Sequence, residues 1–253
     1  MIIIEAQKYV TVSKLAHQMS RIDTFLGGGY FMDNIEIKMV KNKKDFKDFI
    51  KVQWKVYKND NYWVPPLIVD MKTKFNPKKN PLFEHADIQS FVAYKHRKLA
   101  GRITGIIHNI HNEFHKEKTG FFGFFETIDD YDVANSLLNT VKIWLKDKGM
   151  DTMRGPANFS SNDDLGLLIE GFDYSPMIMM TYNPKYYVDF MDKYGFKKAK
   201  DLFAYRIDLT GDFNDRVKRI ADMIKNKHNI IIRKVNMKDF DNEVKIVVVA
   251  RTS

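Results

Sequence analysis

Residues Gly101 to Glu126, GRITGIIHNIHNEFHKEKTGFFGFFE, narrow the possible folds more than any other part of the chain. Ile103, Ile106, Ile107 and Ile110 are β-branched, and Phe121, Phe122, Phe124 and Phe125 are aromatic. Both residue classes fit a pleated, largely buried surface, so the stretch predicts two strands separated by a histidine cluster. Gly120 and Gly123 interrupt the aromatic run. A glycine there marks a bulge or a close approach to the backbone, or it relieves crowding among four phenylalanines, and both readings stand at this point.

The flanking sequence alternates between strand and helix signals. Asn34 to Val40 predicts a strand, after which Asp45 caps the helical series Phe46, Phe49, Ile50, Trp54, Tyr57. Asn59 to Pro66 and Asn76 to Pro81 read as turn-rich loops, with Tyr62 and Trp63 packed onto the core. Ile88 to Tyr94 forms a hairpin with Ala100 to Ile110 through the His96-Arg97-Lys98 turn. Asp129, Asp130 and Asp132 open a helix whose buried stripe is Ala134, Leu137, Leu138, Val141, Leu145 and which Gly149 ends. Thr152 to Asn158 predicts a strand, Asn183-Pro184 the cap and first residue of a helix, and Lys200 to Leu209 a further strand. Phe213 to Ile224 reads as a last helix and Ile230 to Val235 as a last strand. The first strand-to-helix passage, Ile37 to Phe46, is similar to Ile232 to Phe240, which is consistent with the start of a second copy of the domain.

Composition limits the function classes. At 253 residues and 44% apolar content the chain can bury a sizeable core. It holds no cysteine, which removes disulfides, thiolate metal sites and cysteine nucleophiles. No apolar run approaches the ~20 residues of a membrane span, and the expectation is a cytoplasmic protein without membrane contact. The formal charge of +9 comes from lysines spread over helix faces and turns, a solvated surface and not a nucleic-acid footprint.

The blocks FVAYKHRKLAGRI, HNIHNEFHKEKTGFFGFFE, WLKDKGMDTMRGPANFSSNDDLGLLIEGFD and MTYNPKYYVDFMDKYGFKKAKDLFAY together resemble the GNAT superfamily, within it a bacterial two-part GNAT-like N-acetyltransferase family. The resemblance covers about Asp33 to Val244. It implies an α/β (α+β) fold, a GNAT-like mixed β-sheet flanked by helices, with acetyl-CoA as co-substrate and a small-molecule amine as acceptor. It also implies three regions: a flexible N-terminal leader over 1–32, a GNAT-like domain over 33–210, and a linker helix with the start of an incomplete second half over 211–253. In that family the Gly-rich pyrophosphate loop lies in the second half. The terminal IVVVARTS does not resemble the family's continuation, so the expectation is a truncated or frame-shifted product able to dock with a second GNAT-like half.

Candidate site residues follow from what such a transfer requires. A diphosphate needs converging backbone N–H groups at a helix N-terminus. The equivalent connection, ETIDDYDV, has four carboxylates and no glycine, so no cofactor-binding residue is assigned. Amine acylation needs a base and an acid. Glu126 at the strand end is the base candidate, and Tyr182, Tyr186 or Tyr187 the acid, with Tyr186 assigned. His108, His111 and His115 at spacings of three and four would share a helix face and invite zinc, whereas a strand leading into a loop scatters them. No metal site is assigned; His108 and His111 are placed in a substrate cleft. Asn158, Ser160 and Asn162, in the polar loop Asn158 to Asp164, together with Tyr182 and Asn183, complete the substrate-binding set. A non-catalytic ligand-binding module with the same fold is the alternative.

Overall fold

The computed structural model describes residues 4–15, 34–160, 162–207, 215–228, 231 and 233–252. Alternation in the central strands sets the layers. Phe91, Ala93, Ile103, Ile107 and Phe122 face one side of a sheet, while Val92, Ile106 and Phe124 face the other. The first strand is β1 (Ile4–Leu15), followed by β2 (Ile35–Met39), α1 (Lys43–Val56) and α2 (Ile68–Lys74). The hairpin β3 (Ala86–Lys95) and β4 (Lys98–His108) turns through His96 and Arg97, both at positive φ. A short α3 (Asn109–His115) leads to β5 (Thr119–Thr127), α4 (Tyr131–Asp147), β6 (Thr152–Gly155), β7 (Leu167–Glu170), α5 (Tyr186–Tyr194) and β8 (Lys197–Ile207). The sheet order is β2-β3-β4-β5-β6-β1-β7, with β8 paired to β1, and it is mixed because β5 and β6 run parallel.

Helices α4 and α5 cover one face. The stripe Val133, Ala134, Leu137, Leu138, Val141 and Leu145 is fully buried against β4 and β5, joined by Tyr187, Phe190, Met191 and Tyr194. Helices α1 and α2 cover the other face through Phe49, Ile50 and Met71. The chain divides into two compact units, Glu5–Arg206, and Ile207–Ser253 with Met1–Ile4. In the second, α6 (Asp215–Lys227) and α7 (Phe240–Thr252) flank a 3-10 turn, Met237–Asp239.

Several expectations need correction. The cap of α1 is Asn42, whose side chain accepts the N–H groups of Lys44 and Asp45; Asp45 sits in the first turn and accepts Lys41 N–H. Asn183 does not cap α5, which starts at Tyr186 after an uncapped Lys185. A short helix, α2, stands between the two turn-rich loops where no element was assigned, and the histidine cluster forms α3 where a loop was expected. Within the segment read as a flexible leader, Ile4–Leu15 is a strand, with Val12–Leu15 antiparallel to β6 and Lys8–Val10 to β7. Residues 1–3 and 16–32 of that leader lie outside the described residues. Arg233–Val235, read as part of a last strand, has no strand structure, while Ile230 and Ile232 lie outside the described residues.

The feature that positions the site is a bulge in β5. Opposite β4, Thr104 pairs with Gly123 but Arg102 pairs with Glu126, so β5 has one residue more than its partner. Phe124 at the extra position has φ +49°. Side chains alternate between faces, so one inserted residue reverses the parity. Phe124 points to the α1 side and Phe125 to the α4 side, which leaves Glu126 on the α1 side beside Arg102. Both glycine readings therefore meet at Gly123, where a Cβ would stand 1.8 Å from the Ala157 carbonyl oxygen. Gly123→Ala is expected to destabilise the fold by about 3 kcal/mol through backbone overpacking. Gly149→Ala, in open space at φ +81°, should cost only about 1–2 kcal/mol. Urea unfolding of the two variants checks the order.

Candidate functional site

Past the bulge the sheet opens. Parallel pairing of β5 with β6 covers only Thr119–Phe121 against Thr152–Arg154, while β5 runs on to Thr127. After β6 the peptide Gly155–Pro156 is cis, and Asn158 reaches back to accept Phe124 N–H on its Oδ1 at 2.7 Å. The opening is a cavity of about 110 Å3 lined among others by Gln53, Met71, Arg102, Glu126, Asn158 and Tyr187. Tyr182 and Asn183 line both this cavity and a neighbouring open cleft of about 600 Å3 that reaches Lys55, Asp60 and Tyr186.

Glu126 is the centre of the opening and only 6% exposed. Its Oε1 accepts from Gln53 Nε2 at 2.9 Å and lies 3.7 Å from Arg102 Nη2. Its Oε2 accepts from Tyr57 Oη and Tyr187 Oη, each at 2.9 Å. Gln53 stands on α1 and Tyr57 one turn further on, as its C-cap, while Tyr187 comes from α5 on the opposite face of the sheet. Tyr187 also accepts Thr127 N–H at 2.7 Å, which locks the strand end. Trp63 stacks on Tyr57 with ring centroids 4.9 Å apart.

Burial pushes the Glu126 carboxyl above the ordinary carboxylate range, against the opposing pull of Arg102 and the three donors. Burial likewise lowers the Arg102 value, while burial and the neighbouring Glu126 raise Tyr57 and Tyr187. Arg102 is 1% exposed; its Nη1 donates to the Phe49 carbonyl at 3.2 Å and its guanidinium lies over the Phe49 ring. Arg102 Nε and Gln53 Oε1 are buried without a protein partner, a donor and an acceptor beside the carboxylate. Such an arrangement suits a carboxyl that binds its proton more tightly than an ordinary glutamate and can exchange it with a group in the opening.

The structure distributes the other predicted residues unevenly. Tyr186 donates to the Thr127 carbonyl at 2.7 Å and does not touch the Glu126 carboxylate. Tyr182 donates to Asp60 at 2.9 Å, and Asn183 is fully engaged with the backbone of Leu168 and Pro184. Asn158 lies at the mouth, while Ser160 and Asn162 form a turn, Ser160 Oγ donating to Asp163 at 2.8 Å. Ser161 lies outside the described residues. His108 caps α3 through His111 N–H, and His111 faces Glu117 at 2.7 Å. His108 ends β4, six residues or ~20 Å from Arg102 at the rise of a strand, and His111 follows on α3. Among the described residues no group of three or more His, Asp or Glu is arranged to hold a metal ion. Sequence reasoning missed Gln53, Tyr57 and Arg102. A lone arginine in the apolar strand GRITGII and a polar pair at i, i+4 on a buried helix face were the available signals.

From β2 to β8 the elements run strand, helix, hairpin, strand, helix, strand, helix, strand, once α2, α3 and β7 are taken as additions. This is the order of strand and helix signals in the sequence. The fold is GNAT-like. The N-terminus of α4, where such folds cradle a diphosphate, carries Asp130, which accepts the N–H groups of Asp132 and Val133 and ion-pairs with Lys95. Those amides are already bonded and the neighbouring Asp129 and Asp132 are anionic, so this turn does not fit a diphosphate.

The chain is 35% identical over 214 residues to Protein YghO of Escherichia coli, a match covering 83% of this chain and 54% of that protein. It is 33% identical over 216 residues to the bacterial ceramide synthase of Caulobacter vibrioides, covering 83% and 55%. The chain thus spans about half the length of the curated relatives it matches. No family model matches it. Similar solved structures include a GCN5-related N-acetyltransferase from Sphaerobacter thermophilus (TM-score 0.49, 10% identity, 80% of this chain and 52% of that one). Another is from Kribbella flavida (TM-score 0.40, 8% identity, 83% and 61%). No described helix is long and apolar enough to cross a membrane.

Two measurements follow from the Glu126 network. Tyr57→Phe is expected to cost about 1–2 kcal/mol in urea unfolding, and Tyr187→Phe about 1 kcal/mol more, because it also orphans Thr127 N–H. In the folded state Glu126 keeps a proton that the unfolded chain has already released. The stability of the wild type relative to Glu126→Gln should therefore fall as pH rises above the ordinary carboxylate value, and level off beyond the raised one.

Proposed function

We propose that this chain is the amine-recognising, base-bearing half of an N-acyltransferase. The observation that carries the reading is the buried Glu126 carboxylate, aimed into the opening of the sheet and hydrogen-bonded from both faces. An acceptor ammonium entering the cavity loses a proton to Glu126. The neutral amine then attacks the carbonyl carbon of an acyl thioester, the amide C–N bond forms as the C–S bond breaks, and the departing thiolate takes up the proton that the attacking nitrogen sheds, while Glu126 returns its own proton to solvent. Arg102 keeps the carboxylate from being fully neutralised by burial, and Tyr57 and Tyr187 hold its orientation. A cavity of about 110 Å3 admits the reacting group; the rest of the acceptor lies in the adjoining cleft. The relative named for ceramide synthesis supports amide formation on an amine, since a ceramide is the amide of a long-chain amino alcohol.

The self-capped N-terminus of α4 supports placing the diphosphate cradle outside this half, with acetyl-CoA or another acyl thioester presented by the remainder of a longer protein. The same observation favours a second reading for the isolated chain, a ligand-binding module that performs no transfer by itself. In a protein of the relatives' length, Glu126→Gln should lower amide formation by about 100-fold or more at saturating acceptor, with the variant folded by circular dichroism. Unchanged turnover would contradict the assignment of the base. Acetyl-CoA in equilibrium dialysis with the 253-residue chain should show no saturable binding up to millimolar concentration. Saturable micromolar binding would place the cradle in this half.

A further inference from the structure

Helix α2 is a wall shared by two cavities. Met71 and Lys74 face the Glu126 opening, while Ile68 and Lys72, one turn apart, face a second and larger groove on the other side. That groove holds about 1220 Å3, more than a drug-sized ligand fills. Its floor is apolar: Phe46 and Ile50 of α1, Phe75 at the end of α2, Phe83, and Ile88 of β3. Its rim is cationic. Lys43, Lys47 and Lys51 recur every fourth residue along α1, Lys72 stands across from them on α2, and Lys41 closes one end.

A stripe of like charges at i, i+4 works against its own helix, and nearby carboxylates do not relieve it. No aspartate or glutamate lines the groove, and none of these five lysines forms an ion pair among the described residues. The carboxylates of α1 are turned elsewhere: Asp48 accepts Tyr94 Oη, and Asp45 accepts Lys41 N–H. An apolar trough bordered by unpaired ammonium groups is complementary to one kind of molecule, a flexible apolar chain with an anionic head. We propose that this groove binds a single-chain anionic amphiphile, its hydrocarbon tail over Phe46, Phe75 and Ile88 and its head among Lys43, Lys47, Lys51 and Lys72. The inference stands on the groove alone and holds whether or not Glu126 is a base.

Equilibrium dialysis of the 253-residue chain with radiolabelled oleate, below its critical micelle concentration, tests it. Saturable binding at one molecule per chain is expected. Lysophosphatidylcholine carrying the same oleoyl tail should bind at least about tenfold more weakly, and inorganic phosphate should not compete. The surface triple variant Lys43→Glu/Lys47→Glu/Lys51→Glu and the variant Ile68→Glu should each weaken oleate binding by about tenfold or more. Circular dichroism and the Glu126-dependent pH profile of stability report whether the fold is kept. Equal affinity for the zwitterionic lipid, unaltered binding by both folded variants, or non-saturable uptake would overturn the proposal. So would competition by phosphate, which would make the rim a plain anion site. Retention on anionic phosphatidylglycerol vesicles without oleate binding would make the face a membrane dock, and a lysine-dependent dimer without oleate binding would make it a self-contact; either result contradicts the proposal.

Discussion

A guanidinium and a carboxylate stand side by side in the middle of a sheet whose other buried side chains, among the described residues, are uncharged, and much of the architecture answers to that pair. Arg102 and Glu126 are directly opposed on β4 and β5, with exposures of 1% and 6%. Removing either partner from a buried pair leaves an uncompensated charge at a cost of about 3–5 kcal/mol. The surrounding structure is arranged to keep both satisfied. Phe49 supplies a carbonyl and a ring face to the arginine, and Gln53, Tyr57 and Tyr187 supply donors to the glutamate. The bulge at Phe124 is the backbone device behind this. Without the extra residue Glu126 would project into the packed face of Val133 and Leu137, away from Arg102, Gln53 and Tyr57.

The bulge and the opening are physically linked. Gly123 has no Cβ, so the chain after β6 can approach closely enough for Ala157 N–H to bond the Phe122 carbonyl at 2.8 Å. Asn158 then replaces the next ladder bond with a side-chain acceptor. Parallel pairing stops and the two strands part. Tyr187 can cross from the α5 side to the carboxylate only because they do. One glycine thus decides the direction of the glutamate, the end of the pairing and the entry of a tyrosine.

Much of the fold was legible because its strongest signals are periodic. The α4 stripe, the β3–β4 hairpin and the aromatic strand are found where their spacing puts them, since each is long and buries one face. Short elements with weak patterns were not legible. Helix α2 follows the proline pair and buries only Met71, and α3 depends on a cap by the His108 ring. At the site, Glu126 could be read from its place at a strand end. Tyr57 could not, since its position in the helical apolar series conceals a hydroxyl directed at a carboxylate 69 residues away. The preference for Tyr186 over Tyr187 turned on which of two adjacent residues faces inward, and a helix start without a side-chain cap gives no register for that choice. The acidic character of ETIDDYDV, by contrast, was readable directly, and the structure adds that Asp130 fills the helix terminus itself.

Burial makes Glu126 a carboxyl whose proton is held more tightly than an ordinary glutamate's. Carbon-13 NMR titration of the chain with glutamate side-chain carboxyls labelled measures this directly. One resonance should titrate above the ordinary carboxylate range, and Glu126→Gln should remove that resonance alone. If every glutamate titrates in the ordinary range, or the high-titrating resonance survives the substitution, Glu126 is not such a carboxyl.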